Sequence, residues 1–378
     1  MSFLRNLNMG GAVVAALMLS ACQSLATAPS ITATSAALPA RTAIDSPDVW
    51  GGQLRCGALG CLLAAVEHEK STVVLYQIEG RQARLLDRQP VAYHPDGATW
   101  LTDDLLVAAV EDSASLDVFR VQQGRLQRID QIQVGFAPRD VVKVEEQGGR
   151  YRLLVTPYRQ KEVAWVNYDP AQPQTTQVQR VQWCMTPWHP VRLQRAPGQP
   201  QGGVAVACLD DKQVAFVSAA DLLAPAKPLL KIPVQDNIVP RQARPSPSGR
   251  WLYVALETGN RNLRMDMDSG ELQWIKSPLW GAVGVLPLAD DLVIWSDDSR
   301  LYLQRLTPQG EVLETRWLPV DGFATGMQLQ DADGDGVSDL VVYNSSVLPG
   351  KMGMEIIYGP LWEQAQADMP PKQTLKKK

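Results

Sequence analysis

The chain has 378 residues, of which 45% are hydrophobic and 20% are charged. This composition supplies enough apolar side chains for one large globular domain or two small ones. The net charge is −4, so no general positive field is present that would bind nucleic acid or an anionic lipid surface.

The amino-terminal segment combines Arg5 with a short apolar stretch that ends in Leu19-Ser20-Ala21-Cys22. The stretch is too short to span a bilayer comfortably, and it ends in small residues as a secretory signal does. Residues 1–21 resemble a bacterial lipoprotein signal peptide. The resemblance implies that Cys22 carries lipid, including palmitate, and that the chain is anchored in the cell envelope. Gln23 favours the periplasmic face of the outer membrane; exposure on its outer leaflet and a chance match in a cytoplasmic protein are the alternatives.

Residues 22–45 are rich in Ala, Ser and Thr, contain scattered Pro and show no hydrophobic period. This composition predicts a disordered tether after the lipid anchor. From residue 46 onward, short apolar runs alternate with turn residues, which is typical of an all-β domain.

Four cysteines remain when Cys22 is set aside, and an even number fits an oxidising compartment. Three pairings are possible. We favour Cys56–Cys61 and Cys184–Cys208, because residues 57–60 would form a tight hairpin turn and the second pair brackets two neighbouring strand-like runs. A zinc site is the weaker alternative, because neither spacing matches the CxxC pair of a zinc ribbon.

An internal repeat makes the all-β prediction specific. Ala64-Ala65-Val66-Glu67 recurs as Ala108-Ala109-Val110-Glu111, and the following residues keep the same offset of 44 residues (108 − 64). Repeats of 40 to 50 residues with four strands each are typical of propeller blades. We therefore predict a seven-bladed β-propeller over residues 46–364, with six or eight blades as alternatives, and a disordered tail over 365–378. Second strands of the later blades are expected at 151–155, 203–209, 251–256, 291–295 and 339–343.

Aromatic or apolar residues precede several predicted innermost strands, and arginines or a histidine follow closely. In a propeller these connections surround one end of the central channel. They predict a binding rim, because aromatic residues and Arg are enriched where interfaces concentrate binding energy; packing between blades is the simpler alternative. The candidate rim consists of Phe136, Arg139, Trp188, His189, Arg241, Trp280 and Phe323.

Two segments of the fifth predicted blade resemble known propellers. Residues 245–254, PSPSGRWLYV, resemble a phrase of lactonase-like and YVTN propellers, and residues 270–274, GELQW, resemble the end of a quinoprotein-type blade. The latter blade also occurs in the propeller lipoprotein of the β-barrel assembly machinery.

An acidic loop, Asp331-Ala332-Asp333-Gly334-Asp335-Gly336-Val337-Ser338-Asp339, opens an apolar run. Its alternating carboxylates and glycines suit a hard cation that prefers oxygen ligands. The loop resembles the FG-GAP or VCBS calcium repeat of β-propellers. The resemblance implies a structural calcium ion held by Asp331, Asp333, Asp335, the Val337 carbonyl and Asp339. A plain acidic turn is the alternative.

The last blade lacks a fourth strand in the sequence after residue 358. Because a propeller removes its exposed edge by closing the ring, we expect residues 42–49 to complete blade seven.

Catalytic motifs are absent from the sequence: the three histidines, His68, His94 and His189, lie in no nucleophile or metal motif, and no phosphate-binding loop is present. We therefore expect a non-catalytic module that binds envelope proteins or glycans. The alternative is a periplasmic propeller enzyme, either a lactonase-like hydrolase or a quinoprotein-like oxidoreductase.

Overall fold

The computed structural model describes residues 41–44, 46, 49–232, 238–297, 300–318, 320, 324–344, 353–365 and 367, without the side chains of residues 325 and 344. These residues form seven antiparallel four-stranded sheets arranged as the blades of a β-propeller. The predicted fold and blade number are confirmed. The signal peptide, Cys22, nearly all of the tether and most of the tail lie outside the described residues.

The strands follow one another in blade order, apart from the first. Strand β1 is Arg41–Ile44. Blades one to three contain β2 Val49–Gly57, β3 Gly60–Glu67, β4 Thr72–Glu79 and β5 Gln82–Pro90; β6 Pro95–Trp100, β7 Leu105–Val110, β8 Ser115–Gln122 and β9 Arg125–Gln133; and β10 Pro138–Gln147, β11 Arg150–Pro157, β12 Glu162–Tyr168 and β13 Gln177–Gln182. A 3-10 turn, Pro173–Thr175, joins the last two of these strands.

The remaining blades repeat this arrangement. Blades four to seven contain β14 Pro187–Leu193, β15 Gly203–Cys208, β16 Gln213–Ser218 and β17 Lys227–Lys231; β18 Pro240–Pro245, β19 Trp251–Leu256, β20 Arg261–Asp266 and β21 Leu272–Lys276; β22 Gly284–Pro287, β23 Leu292–Ser296, β24 Leu301–Leu306 and β25 Val312–Leu318; and β26 Ala324–Gln330, β27 Asp339–Asn344 and β28 Met354–Ile357. A four-residue helix, Leu361–Gln364, follows. No helix among the described residues is long and apolar enough to cross a membrane.

Burial within a blade depends on the position of the strand. All six residues of β7, LLVAAV, are buried, because the second strand is covered by neighbouring blades on both faces. In β9, the outermost strand of the same blade, most residues are exposed. Every pair of neighbouring blades shares a cluster of buried apolar side chains, so the core consists of seven interfaces around the ring.

The ring closes through its amino terminus. Strand β1 pairs antiparallel with β28, from Arg41 opposite Ile357 to Ile44 opposite Met354, and becomes the fourth strand of blade seven. Ile44 is 3% exposed and packs in the cluster that joins blades seven and one. Closure of blade seven by the amino terminus is confirmed, but the closing strand is residues 41–44 and not residues 42–49, because residue 49 already begins β2 of blade one. The closing strand therefore lies before residue 46, the predicted start of the propeller.

Both predicted disulfides are present. Cys56–Cys61 crosses the first hairpin of blade one, and Cys184–Cys208 ties the segment before β14 to the end of β15. The first bridge spans the turn between Gly57 and Gly60, as expected from the glycines on either side.

Candidate functional site at the channel mouth

The innermost strands share a local irregularity near the end at which they begin. Six of the seven lose register with the second strand at this point. A bulge adds a residue to one strand and redirects its side chain away from the ladder. The residues inside these shifts include Trp50, Asp96, Arg139, His189 and Arg241. We call the end of the channel that they surround the mouth.

A cavity of ≈ 210 Å³ occupies the channel at the mouth. Trp50, Asp96, Arg139 and His189 line it at the bulges, and residues deeper in the innermost strands, Arg244 among them, line the rest. Because ligand pockets commonly have volumes of roughly 300–1,000 Å³, this cavity suits a small molecule and not a macromolecule.

Two arginines bring positive charge to the cavity. The Arg139 guanidinium lies 3.9 Å from the centre of the Trp188 ring and 5.2 Å from that of Tyr158. Burial lowers the pKa of Arg139 and of Arg244. Asp96, and to a smaller extent Asp140, favour the charged form of Arg139, and Asp140 favours that of Arg244. The ion pairs found within the described residues include none for either arginine.

Arg241 is in a different position, although it also lies over the Trp188 ring, at 4.8 Å. It donates two hydrogen bonds to Glu257, of 2.7 Å and 2.6 Å. Such a bidentate pair neutralises the charge. Among the described arginines of the mouth, Arg139 and Arg244 therefore remain available to an anion.

A histidine and a carboxylate face each other beside these arginines. Nδ1 of His189 lies 3.5 Å from Oδ2 of Asp140, whose Oδ1 accepts a hydrogen bond from the Val141 amide. Burial lowers the pKa of His189, while Asp140 partly offsets the effect. The lowered pKa favours the neutral imidazole, which can accept a proton. Gly97 permits this arrangement, because a Cβ at that position would lie 2.9 Å from Oδ1 of Asp140.

The other two histidines lie on the blade-one and blade-two side of the mouth. His68 stacks between Trp50 and His94, with ring centres 4.2 Å and 4.5 Å away. Nδ1 of His68 is 2.8 Å from Oδ1 of the buried Asp96. All three histidines of the chain thus lie at or beside one opening.

The structure separates the members of the predicted rim. Arg139, Trp188, His189 and Arg241 lie together at the mouth. Trp280, just before blade six, is 69% exposed. Phe136 is buried in the cluster between blades two and three, so it is a packing residue and its assignment to the rim is wrong. Phe323 lies outside the described residues.

The sequence analysis missed Asp96, Asp140 and Arg244, and it assigned no role to His68. A signal for the mouth was nevertheless present: four innermost strands, in blades two to five, begin with proline. Proline cannot donate to the ladder and occurs at the first residue of a strand or at a bulge. The residues that follow these prolines are those redirected to the mouth.

The acidic loop connects β26 to β27. Because β26, the innermost strand of blade seven, begins at the mouth, the loop at its other end lies at the opposite end of the channel. Asp331, Asp333 and Asp335 each place a carboxylate oxygen within 4.8 Å of the others. Nε of Arg81, in blade one, is 2.6 Å from Oδ2 of Asp333.

The fourth carboxylate of the loop is held from inside the blade. Asp339 is fully buried, and it accepts hydrogen bonds from the Ala332 and Gly359 amides. Burial raises its pKa. The Val337 amide donates to Asp335. Calcium binding by these residues stays a prediction.

No protein-family model matches the chain, and no curated protein matches it in sequence. Solved structures match its fold. The periplasmic gluconolactonase of Pseudomonas aeruginosa is 16% identical with a TM-score of 0.55, over 69% of this chain and 83% of that one. A candidate 6-phosphogluconolactonase of Bacteroides fragilis is 13% identical with a TM-score of 0.54, over 68% and 81%.

A chain of the mitotic checkpoint complex is also similar, with 12% identity and a TM-score of 0.60 over 92% of this chain and 99% of that one. At these identities the likeness shows the propeller fold alone. Because the same fold supports both enzymes and assembly proteins, function has to be argued from the residues at the mouth.

Proposed function

We propose that the mouth binds a small anionic lactone and hydrolyses its ring ester. One observation carries this proposal: a His189–Asp140 pair faces the same cavity as Arg139 and Arg244, for which the described residues provide no ion-pair partner. A proton acceptor beside cations suits attack of water on an ester. The fold likeness to proteins named as gluconolactonases supports the choice of a lactone.

The chemistry assigns a separate role to each group. With Nδ1 of His189 directed to Asp140, Nε2 is left to take a proton from water as that water attacks the lactone carbonyl. The negative charge that develops on the carbonyl oxygen is stabilised by an arginine of the cavity. The protonated His189 then returns its proton to the ring oxygen as the C–O bond breaks. The product is an open-chain hydroxy acid.

The arginines also define the substrate class. A guanidinium is planar and remains charged, so it binds a carboxylate or phosphate through two parallel hydrogen bonds. One arginine can hold the anionic group of the substrate while the other faces the ester. The cavity volume of ≈ 210 Å³ limits that substrate to about one sugar ring.

The test is proton release from a panel of neutral and phosphorylated or carboxylated sugar lactones, measured in a pH-stat. His189→Gln should lower kcat/KM by about 10²- to 10⁴-fold. Arg244→Gln should lower kcat/KM for the anionic lactones more than for the neutral ones. Arg195→Gln is the matched control, because Arg195 forms an ion pair with Asp268 away from the cavity. Equal rates for wild type and His189→Gln on every lactone would refute the proposal.

A non-catalytic binding module is the second candidate, and the exposed Trp280 favours it. Trp is enriched among the residues that concentrate binding energy at interfaces, and Trp280 lies shortly before β22, the innermost strand of blade six. Crosslinking in intact cells, repeated with Trp280→Ala, tests this candidate. Loss of captured partners by a folded variant that keeps lactone turnover would establish a separate binding function.

The proposed site of action is the cell envelope, with the protein attached to the outer membrane through lipid on Cys22. The two disulfides support an oxidising compartment. Labelling of cells with palmitate should mark the wild-type protein and leave Cys22→Ala unlabelled. Label on both proteins, or on neither, would contradict the assignment.

A further inference from the structure

Two arginines lie over the ring of Trp188, and they differ in their polar partners. The Arg139 guanidinium is 3.9 Å from the centre of the ring, and that of Arg241 is 4.8 Å away. Arg241 donates two hydrogen bonds to Glu257, of 2.7 Å and 2.6 Å. Within the described residues, the side chain of Arg139 forms no hydrogen bond and no ion pair. The same ring therefore holds one neutralised guanidinium and one that keeps its charge.

Aromatic rings support Arg139 without using its donors. A second ring, that of Tyr158, has its centre 5.2 Å from the same guanidinium. A cation over an aromatic face is attracted by the ring itself. This attraction needs no hydrogen-bond acceptor, whereas a bidentate carboxylate would occupy two of the five N–H donors of the guanidinium. Because Arg139 lines the cavity, its donors remain available to the oxygen atoms of a ligand there.

The ring of Trp188 is attached to a constrained segment of backbone. Trp188 pairs with Ala207 across β14 and β15, one residue from the Cys184–Cys208 disulfide. The register shifts directly after Trp188, and His189, with a φ of 49°, lines the cavity. The two neighbouring rings stack, with centres 5.3 Å apart and 16° between their planes. Trp188 thus contacts both the proposed base and the arginine that keeps its charge.

We propose that Trp188 is a positioning residue that holds Arg139 as an oxyanion-binding group of the cavity. The ligand class is an anion with at least two oxygen atoms, a phosphate or a carboxylate, because such a group fits a guanidinium through parallel hydrogen bonds. The assignment rests on the proposed function, in which the cavity arginines bind an anionic lactone, and it names the ring that keeps Arg139 beside the cavity.

The experiment is calorimetric titration of inorganic phosphate into the full-length protein at constant ionic strength, with chloride as the control anion. Saturable binding of phosphate is expected. Trp188→Leu should weaken it roughly 3- to 30-fold, which corresponds to the loss of one cation–π contact. Trp188→Phe keeps a ring face and should recover most of the affinity.

A matched control is the indole of Trp274, in β21, the outermost strand of blade five. The Arg261 guanidinium lies 4.2 Å from the centre of this ring, so Trp274→Leu removes the same kind of contact away from the cavity. It should leave phosphate affinity unchanged. A weakening equal to that of Trp188→Leu would overturn the assignment.

A double-mutant cycle separates a positioning role from general damage to the fold. If Trp188 acts through Arg139, Trp188→Leu should cause no further loss of affinity in an Arg139→Gln background and its full loss in an Arg244→Gln background. An undiminished loss in the Arg139→Gln background would overturn the assignment. Unchanged affinity in Trp188→Leu, or absence of saturable phosphate binding by the wild type, would also overturn it.

The lactone assay distinguishes failure of this role from failure of the proposed function. Phosphate binding with the expected pattern, in a protein that hydrolyses none of the lactones, would refute the hydrolase and leave the role of Trp188 intact. Lactone hydrolysis that depends on His189, together with a phosphate affinity that does not depend on Trp188, would refute the role of Trp188 alone.

Discussion

Closure of the ring through Ile44 can be tested by the substitution Ile44→Ala. The side chain is 3% exposed and lies in the cluster shared by blades seven and one. The change removes three carbon atoms, which at about 0.8 kcal/mol each gives about 2.4 kcal/mol before any cavity contribution. Because β1 is held by a single neighbouring strand, β28, we expect the loss to appear first as local opening of blade seven.

Hydrogen exchange measures that opening. A loss of about 2.4 kcal/mol corresponds to roughly 50-fold faster exchange for amides that exchange through this opening. The acceleration should be confined to β1, β28 and their neighbours in blade seven. The distant second blade should keep its wild-type protection.

A matched control is available in Ile132, which is 4% exposed in β9, the outermost strand of blade two. Ile132→Ala removes the same atoms from an outermost strand that does not close the ring. It should accelerate exchange in blade two and leave β28 protected. Unchanged exchange of β28 in Ile44→Ala, or a uniform acceleration in both variants, would refute the assignment of closure to β1.

Three further predictions concern the bridges, the acidic loop and the mouth. Replacing Cys184 and Cys208 by Ala should lower the free energy of unfolding in urea by about 3.5 kcal/mol, and removing the Cys56–Cys61 bridge should lower it by about 2 kcal/mol. The difference arises because the two bridges close loops with sequence separations of 24 and 5 residues. A larger loss for the shorter loop would contradict this estimate of chain entropy. Calcium should raise the Tm of the wild type and not of Asp333→Ala, and no shift in either would make the loop a plain acidic turn. The midpoint of the acid limb in the pH profile of kcat/KM should lie below pH 6.5, because burial lowers the pKa of His189 and the neutral base persists to lower pH. A midpoint of this limb above pH 6.5 would exclude His189 as the base.

The blade architecture was predictable because it repeats. The 44-residue offset between the first two blades specifies strand length and order, and the missing fourth strand after residue 358 indicates closure by the amino terminus. The disulfides followed from spacing and from the glycines around the hairpin. These features depend on local pattern, which a single sequence contains.

The mouth was not predictable in the same way, because its residues meet across blades. Asp96 and His68 are 28 residues apart in sequence (96 − 68), yet the ring brings their side chains to 2.8 Å. Arg244 and Asp140 belong to different blades and influence each other through the cavity. Phe136 shows the converse, since an aromatic residue at the expected position packs between blades and leaves the rim to its neighbours.

The position of the chemistry within each blade explains how one fold can serve unrelated functions. The second strands are buried on both faces and carry the core, as β7 and β19 do throughout their length. Four of the bulged residues of the innermost strands, Trp50, Asp96, Arg139 and His189, line the cavity, so their substitution alters the site directly. Likeness of the blades therefore says little about activity. For this chain the assignment depends on two cavity arginines and the His189–Asp140 pair, which the pattern of the blades does not require.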